Sequence, residues 1–119
     1  MNTVKTEKFK LNKEFKRLYG RGKSFVDPLL VTYVLKSGRD HCRIGITVGK
    51  KLGGAVERNR AKRVITAAWR ETAPLLSQNV DAVFVARTRI LSAKSGDVAA
   101  AMIRHFKKSG LIPNEKTER

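Results

Sequence analysis

Acidic residues are scarce in this sequence, where 10 Asp and Glu stand against 26 Lys and Arg and give a formal net charge of +16 over 119 residues. A folded chain with such an excess repels itself unless an anion compensates for it. The anion that basic protein surfaces usually meet is nucleic acid. The scarcity of acids therefore favours a nucleic-acid-binding protein over one whose surface is merely basic.

Cysteine, histidine and paired carboxylates, which build most catalytic and metal sites, are also scarce. The one cysteine, Cys42, excludes an intramolecular disulfide and is typical of a reducing cytosol, so we expect a cytoplasmic protein. His41 and His105 lie far apart in the sequence, and His105 is predicted to pack in the core. No metal-ligand spacing and no close carboxylate pair occurs, so we predict no catalytic residue and no metal ligand in this chain.

Long apolar runs and nucleotide-binding loops are missing as well. The sequence has no run of about 18 apolar residues that could span a membrane, and residues 1–10 lack the apolar stretch of a signal peptide. Residues 45–50 are similar to a P-loop only at first sight. Three residues separate their glycines where the motif has four, and a second lysine follows where the motif has Ser or Thr. We expect neither a membrane nor a nucleotide as ligand.

The periodicity of apolar residues predicts an α+β fold, a sandwich in which helices cover a mixed sheet. The order is αβββαβα, with elements at about 13–19, 24–27, 29–36, 43–49, 55–73, 80–87 and from 95 onward. The strand at 80–87 is apolar almost throughout, which is typical of a central strand covered on both faces. The strands at 29–36 and 43–49 flank a polar turn and are predicted to pair as an antiparallel hairpin.

The length of the chain predicts one domain. We therefore interpret residues 1–119 as a single domain, for which the excess of positive charge predicts binding to nucleic acid. Its polar ends, residues 1–11 and 111–119, are expected to be flexible because neither carries a periodic apolar pattern.

The long predicted helix and the loop before it carry the densest positive charge, with seven Lys and Arg against one acid between residues 50 and 70. On a helical wheel the apolar residues fall on one side and most of the cations on the other. A solvated helix face usually mixes signs, because pairs four residues apart then support the helix. We favour contact with RNA or DNA over a solvated face, since the arginine fork suits phosphates and base edges. The candidate contacts are Lys50, Lys51, Arg58, Asn59, Arg60, Lys62, Arg63 and Arg70.

Four aromatic residues suggest a second contact with RNA. Phe15 and Tyr19 share a helix face, whereas Phe25 and Tyr33 lie on or beside strands. Unstacked bases stack on such rings, a mark of single-strand recognition. The alternative is that all four rings belong to the core. That alternative is equally good for the two phenylalanines and weaker for the tyrosines, whose hydroxyls need water or a partner.

The sequence of residues 50–63 closely resembles the protein subunit of bacterial ribonuclease P. The Arg-Asn-Arg triplet at 58–60, the cations that follow it and the Gly-Gly-Ala-Val lead-in at 53–56 match the signature of that family. The similarity covers roughly residues 9–109. Two positions depart from the family pattern: Thr66 stands where members often have arginine, and Tyr19 stands where phenylalanine is frequent.

The resemblance implies a concrete function. The family's protein joins a large catalytic RNA, and the ribonucleoprotein hydrolyses a phosphodiester bond to remove the 5′ leader of precursor tRNA. The RNA, with Mg²⁺, holds the active site, which agrees with the lack of catalytic side chains noted above. The protein is expected to lower the Mg²⁺ demand and to broaden the substrate range. Its expected partners are the catalytic RNA and precursor tRNA, with no DNA and no membrane.

The resemblance also implies where the two RNAs lie. The long helix and its loop face the catalytic RNA and the substrate near the cleavage site, with Arg87 as an additional contact. A cleft between the first helix and the sheet receives the single-stranded leader. A left-handed β-α-β crossover carries the long helix. The residues implied for the leader cleft are Phe15, Tyr19, Phe25, Tyr33 and Thr47.

Two other classes of function stay open at the level of sequence. A ribosomal-type RNA-binding protein or RNA chaperone would share the basic helix but would not stimulate leader removal by the catalytic RNA. A basic nuclease, with a site assembled in three dimensions, would cleave RNA without any RNA subunit. The cleavage of precursor tRNA at low Mg²⁺ distinguishes all three.

Overall fold

The computed structural model describes residues 5–113, which form a five-stranded mixed sheet and three α-helices. The strands, in chain order, are β1 (Thr6–Lys8), β2 (Lys23–Val26), β3 (Leu30–Lys36), β4 (Cys42–Thr47) and β5 (Val80–Ala86). The helices are α1 (Asn12–Arg21), α2 (Ala55–Thr72) and α3 (Ser95–Lys108). The predicted α+β class is confirmed. No helix of this part of the chain has the length and apolar character needed to cross a bilayer.

β5 lies at the centre of the sheet, whose strand order is β1-β4-β5-β3-β2. It runs parallel to β4 and antiparallel to β3, and all of its residues but Val85 are buried. The predicted central strand is therefore confirmed. The predicted hairpin between residues 29–36 and 43–49 is wrong, because the apolar β5 is stabilised by neighbours on both edges and inserts between β3 and β4. The antiparallel hairpin of this fold joins β2 and β3.

The N-terminal segment contains a strand that the sequence pattern did not reveal. β1 pairs in parallel with residues 42–44 of β4, and Phe9, which follows β1, is only 8% exposed. The prediction of a flexible arm over residues 1–11 is wrong for this strand. A three-residue strand has no room for an apolar alternation, so its order comes from pairing with β4 and from burial of the ring that follows it. Residues 1–4 lie outside the described residues.

The first residues of the C-terminal segment after α3 are also part of the folded core. Leu111 and Ile112, which belong to the predicted flexible tail, are buried against the core. Their burial holds the chain beyond α3 in place, because removing such side chains from water contributes about 1.5–3 kcal/mol each. Residues 114–119 of that predicted tail lie outside the described residues.

Different helices cover the two faces of the sheet. α1 packs on one face, where Phe9, Leu18 and Val83 form a small core. α2 and α3 pack on the other face over the larger core, in which the rings of Phe84 and Phe106 meet edge to face at 6.3 Å. The connection β4-α2-β5 joins adjacent parallel strands and is thus a β-α-β crossover. Its left hand, implied by the family resemblance, stays a prediction.

Candidate RNA interface

The glycines before α2 start that helix close to the end of β4. Gly53 has a φ of +123°, a conformation that side chains disfavour, and Glu57 accepts the backbone N–H of Gly54 at 3.0 Å. The turn leaves Lys50 and Lys51 exposed on a short 3₁₀ helix between β4 and α2. Two cations therefore stand beside the first turn of α2, where the predicted contact surface begins.

α2 buries one face and exposes a cationic one. Its buried residues are Ala61, Ile65, Ala68, Trp69 and Thr72. The exposed polar and cationic residues of the opposite face are Asn59, Lys62, Arg63 and Arg70. The predicted separation into a core face and a cationic face is confirmed, and the helix offers a row of charge that extends along most of its length.

The cations of α2 have no carboxylate partner within residues 5–113. The ion pairs of this region involve Arg17, Arg43, Arg104 and His41 instead. Glu57, the acid of the first turn of α2, is engaged by a backbone N–H. Cations left unpaired on one helix face repel one another, so an external polyanion would stabilise this surface.

Arg60 differs from the other cations of α2. Its guanidinium donates to the carbonyl oxygens of Leu91 at 3.2 Å and Ala93 at 3.0 Å, so it fixes α2 to a 3₁₀ helix over Thr88–Ser92. The prediction that Arg60 belongs to the outward cationic face of this helix is wrong, because the carbonyls at the end of that 3₁₀ helix need donors and Arg60 supplies them. Arg58 is half-buried, and its Nε has no hydrogen-bond partner in the described part of the chain.

Arg87 and Arg70 lie at different ends of the surface. Arg87 directly follows β5 and is exposed, and its Nη1 donates to the Asp27 carbonyl oxygen at 3.4 Å. Because β4 and β5 are parallel, Arg87 emerges at the same edge of the sheet as Lys50. Arg70 lies in the last turn of α2, about 22 Å along the helix axis from its start. The structure thus groups Arg87 with the loop lysine and leaves Arg70 apart.

Three of the rings that the resemblance assigns to the leader cleft lie between α1 and the sheet, and their role there stays a prediction. They are Phe15, Tyr19 and Tyr33. The rings of Tyr19 and Tyr33 lie edge to face with centroids 5.0 Å apart, and Phe15 contacts Phe9 at 5.7 Å. The hydroxyl of Tyr19 shares a 2.7 Å hydrogen bond with the hydroxyl of Thr47, which places this β4 residue at the rim. Tyr19 is 40% exposed, so the edge of the cluster is open to a ligand.

Gly45 allows Phe15 to lie directly on β4. A Cβ at this position would lie 2.7 Å from Phe15 Cζ and 2.9 Å from Phe9 Cδ2, closer than real Cβ contacts. The groove beside these rings, about 190 Å³ in volume, is also lined by Lys8 and by Lys62 of α2. Sequence reasoning missed Phe9 and Lys8, since a lone ring among lysines carries no periodic signal. A cation of α2 and the rings beneath α1 therefore border one groove.

Phe25 lies on the opposite face of the sheet from these rings. Its register partner is Thr32, whereas Tyr33 is opposite Ser24, so Phe25 and Tyr33 point to different faces. The ring of Phe25 stacks on His105 of α3 with centroids 6.0 Å apart. The prediction that Phe25 lines the leader cleft is wrong, because a strand's side chains alternate and register decides which face each one reaches.

His105 is a core histidine, as predicted. It is 2% exposed, and its Nδ1 shares a 2.8 Å hydrogen bond with the Thr32 hydroxyl. Burial lowers the pKa of His105, the charges of Arg104 and Lys108 lower it further, and Asp27 opposes them. Between residues 5 and 113, no three His, Cys, Asp or Glu side chains come close enough together to hold a metal ion.

Comparison with known proteins identifies the family. A family model described as ribonuclease P matches residues 4–110. The ribonuclease P protein component of Clostridium beijerinckii is 40% identical over 116 residues, which cover 92% of this chain and 93% of that protein. The chain belongs to the ribonuclease P protein family. The predicted resemblance is confirmed over nearly the whole sequence.

Solved structures of ribonuclease P proteins share the fold. The protein from Staphylococcus aureus has a TM-score of 0.76 at 28% identity, with 89% of this chain and 97% of that chain covered. The protein from Thermotoga maritima has a TM-score of 0.74 at 25% identity, with 86% and 96% covered. Family membership makes the chain a bacterial ribonuclease P protein subunit, an RNA-binding component of a tRNA-processing ribonucleoprotein.

Proposed function

We propose that this subunit binds the catalytic RNA of ribonuclease P through α2 and its loop, and binds the 5′ leader of precursor tRNA in the groove beneath α1. One observation supports both parts: Lys62 of α2 lines the groove that Phe9 and Phe15 form with β4. Cations neutralise phosphates, and exposed rings stack on unpaired bases. A single strand that passes along this groove therefore meets a cation and the partly exposed ring of Phe15 within one short path.

Leader binding in the groove favours the substrate over the product. The precursor carries the leader and the mature tRNA does not, so contacts with Phe15, Tyr19 and Tyr33 stabilise only the precursor complex. The same contacts broaden the substrate range, since they are independent of the tRNA body. The fixed positive charge of α2 takes over part of the phosphate neutralisation and so lowers the Mg²⁺ demand.

In this proposal the RNA subunit and its Mg²⁺ carry out the hydrolysis. The protein positions the leader and neutralises phosphates of the RNA. The engagement of the acids supports this division. Asp81 and Glu14 are tied to arginines, and Glu57 to the start of α2, which leaves these carboxylates no role at a scissile bond. We place the subunit in the cytoplasm, with no DNA and no membrane partner. The free, buried thiol of Cys42 accords with that compartment.

Cleavage of precursor tRNA by the catalytic RNA at low Mg²⁺ tests the proposal. The protein is expected to stimulate leader removal, and Lys62→Glu is expected to weaken the stimulation. Lys107→Glu makes the same charge change at an exposed position of α3 and serves as the matched control. Equal losses in both variants would contradict the assignment of the groove.

The same assay separates the other two classes of function. RNA binding without stimulation is the outcome expected of a ribosomal-type RNA-binding protein or RNA chaperone. Cleavage by purified protein in the absence of RNA subunit is the outcome expected of a nuclease. Either result would overturn the proposal.

A further inference from the structure

A buried ionic network fastens α1 to the sheet. Asp81 of β5 is 1% exposed, and its Oδ2 accepts a hydrogen bond from Nη2 of Arg43 at 3.2 Å and another from Nη2 of Arg17. Arg43 of β4 also donates through Nη1 to Glu14 Oε2 at 2.7 Å. Since Glu14 and Arg17 belong to α1, one network joins the helix to the two parallel strands at the middle of the sheet.

The network lies on the same face of the sheet as the aromatic groove. Glu14 directly precedes Phe15 in α1, and Arg17 lies half a turn before Tyr19. The guanidinium of Arg43 stands 5.0 Å from the ring centroid of Phe9, which in turn contacts Phe15. Each charged group on α1 thus has a groove residue beside it in the chain, and Arg43 lies against a ring of the groove.

Stability alone does not account for such a network. Removing charges from water carries a large desolvation penalty, and apolar side chains of similar volume are often as stabilising. Asp81 Oδ1 and Arg43 Nε have no hydrogen-bond partner among the described residues, so the network is not even fully satisfied. A guanidinium fork forms directional hydrogen bonds, because its donors must align with the acceptors. Apolar packing does not impose such a direction. The network therefore fixes the register of α1 on the sheet.

We infer that Asp81, Arg43 and Arg17 are positioning residues of the leader groove. They hold α1 in the position in which Phe15 and Tyr19 can contact a single strand of RNA. The side chains of Asp81 and Arg43 are 2% and 13% exposed, so they act through α1 and not by touching RNA. The inference rests on the leader-binding role proposed above. It requires that loosening α1 weakens leader binding and spares the contact between α2 and the catalytic RNA.

Asp81→Asn tests the inference, because it keeps the side-chain volume and removes the charge. Asp27→Asn is the matched control: it breaks the 2.7 Å pair with Arg104 on the other face of the sheet. The measurement is the affinity of the assembled holoenzyme for precursor tRNA and for mature tRNA. The precursor-to-mature affinity ratio is expected to fall about fivefold in Asp81→Asn and to stay constant in Asp27→Asn. Affinity for the catalytic RNA should stay constant in both.

A second pair of variants keeps the test decisive if Asp81→Asn does not fold. Arg17 is 36% exposed, so Arg17→Gln weakens the network from its surface side. It should lower the same ratio about twofold, and Arg17→Lys, which keeps the charge, should restore part of the loss. A constant ratio in Arg17→Gln, or an equal loss of affinity for every RNA, would overturn the inference.

Phe15→Ala separates the inference from the function on which it rests. If this variant loses the preference for precursor and the network variants keep it, the positioning role is refuted, whereas leader binding in the groove is supported. If Phe15→Ala itself keeps the preference, the leader does not bind in the groove, and both statements are refuted.

Discussion

The arginines at the contact between α1 and the sheet and those along α2 have the same side chain but differ in their surroundings. Arg17 and Arg43 are held by carboxylates, and Arg43 is almost buried. Arg63 and Arg70 are exposed and have no carboxylate partner between residues 5 and 113. The partner, and not the residue type, decides if an arginine holds the fold or offers its charge to a polyanion. Arg60 lies between these extremes, since backbone carbonyls hold it.

The placement of the few acids creates this difference. Glu14, Asp27 and Asp81 pair with arginines outside α2. Glu57 and Asp97 accept backbone N–H groups at the starts of α2 and α3. Acids near helix starts are favoured there by the helix dipole and are not available to neutralise side chains further along. The exposed face of α2 therefore keeps cations that no carboxylate of residues 5–113 pairs with.

Removal of Arg43 tests the difference between paired and exposed arginines, and it should have the largest effect on the free energy of unfolding. Arg43→Ala leaves Asp81 buried without its partner on β4, so the free energy of unfolding should fall by about 3 kcal/mol. Urea unfolding followed by circular dichroism measures the change. Arg70→Ala is the same substitution on the exposed face and should change stability by less than about 0.5 kcal/mol. Similar losses in the two variants would show that the surroundings do not separate these arginines.

Arg63 and Arg60 allow the comparison within a single helix. Arg63→Ala should weaken binding of the catalytic RNA and reduce the slope of log affinity against log salt by about 0.7–0.9, with stability unchanged. Arg60→Ala should keep most of that slope and lower the free energy of unfolding by about 1–2 kcal/mol, because Leu91 and Ala93 lose their donor. Filter binding over a salt series measures the slope. An unchanged slope in Arg63→Ala would refute α2 as the RNA-binding face.

Local patterns were sufficient to predict the helices and the central strand. The burial of Ala61 and Ile65 follows from helical spacing, and the apolar run of β5 indicated a covered strand. The sheet order could not be predicted in this way. β5 lies between β3 and β4 although it comes more than 30 residues after β4, and no turn signal beside those two strands reports a strand that arrives so much later.

The site could be predicted only in part, because some of its residues share one helix and others are brought together only by strand pairing. Helical spacing placed Phe15 and Tyr19 on one face, and the family motif located the cations of α2. The face reached by Phe25 depends on its register against β3, which the sequence does not state. The pairing of Arg43 with Asp81 joins parallel neighbours 38 positions apart, so nothing local announces it.

His105 extends the comparison to a buried basic side chain. Unlike the arginines, it is expected to be neutral near pH 7, because burial and nearby cations lower its pKa. Burial lowers its pKa in the folded state, so between the unfolded value near 6.5 and the lower folded value the unfolded chain binds more protons. The contribution of His105 to the free energy of unfolding is therefore largest above pH 6.5 and should fall on acidification below it, by at most about 1.4 kcal/mol per pH unit. Urea unfolding at pH 7.5 and 5.5 measures the effect.

His105→Gln should remove this pH dependence, because no titrating ring is left in the core. His41→Gln is the control, since it changes the other histidine and leaves His105 in place. If both variants keep the full dependence, the neutral state of His105 does not explain it.

Tyr19→Phe should have the smallest effect and tests which contact orients α1. The variant loses the hydrogen bond to Thr47 but keeps the ring and its edge-to-face contact with Tyr33. Because this hydroxyl pair is exposed to competing water, its loss should cost no more than about 1 kcal/mol. The preference for precursor over mature tRNA should persist in Tyr19→Phe and fall several-fold in Tyr19→Ala, which removes the stacking face. A large loss in Tyr19→Phe would mean that the surface hydrogen bond orients α1, in place of the buried network around Asp81.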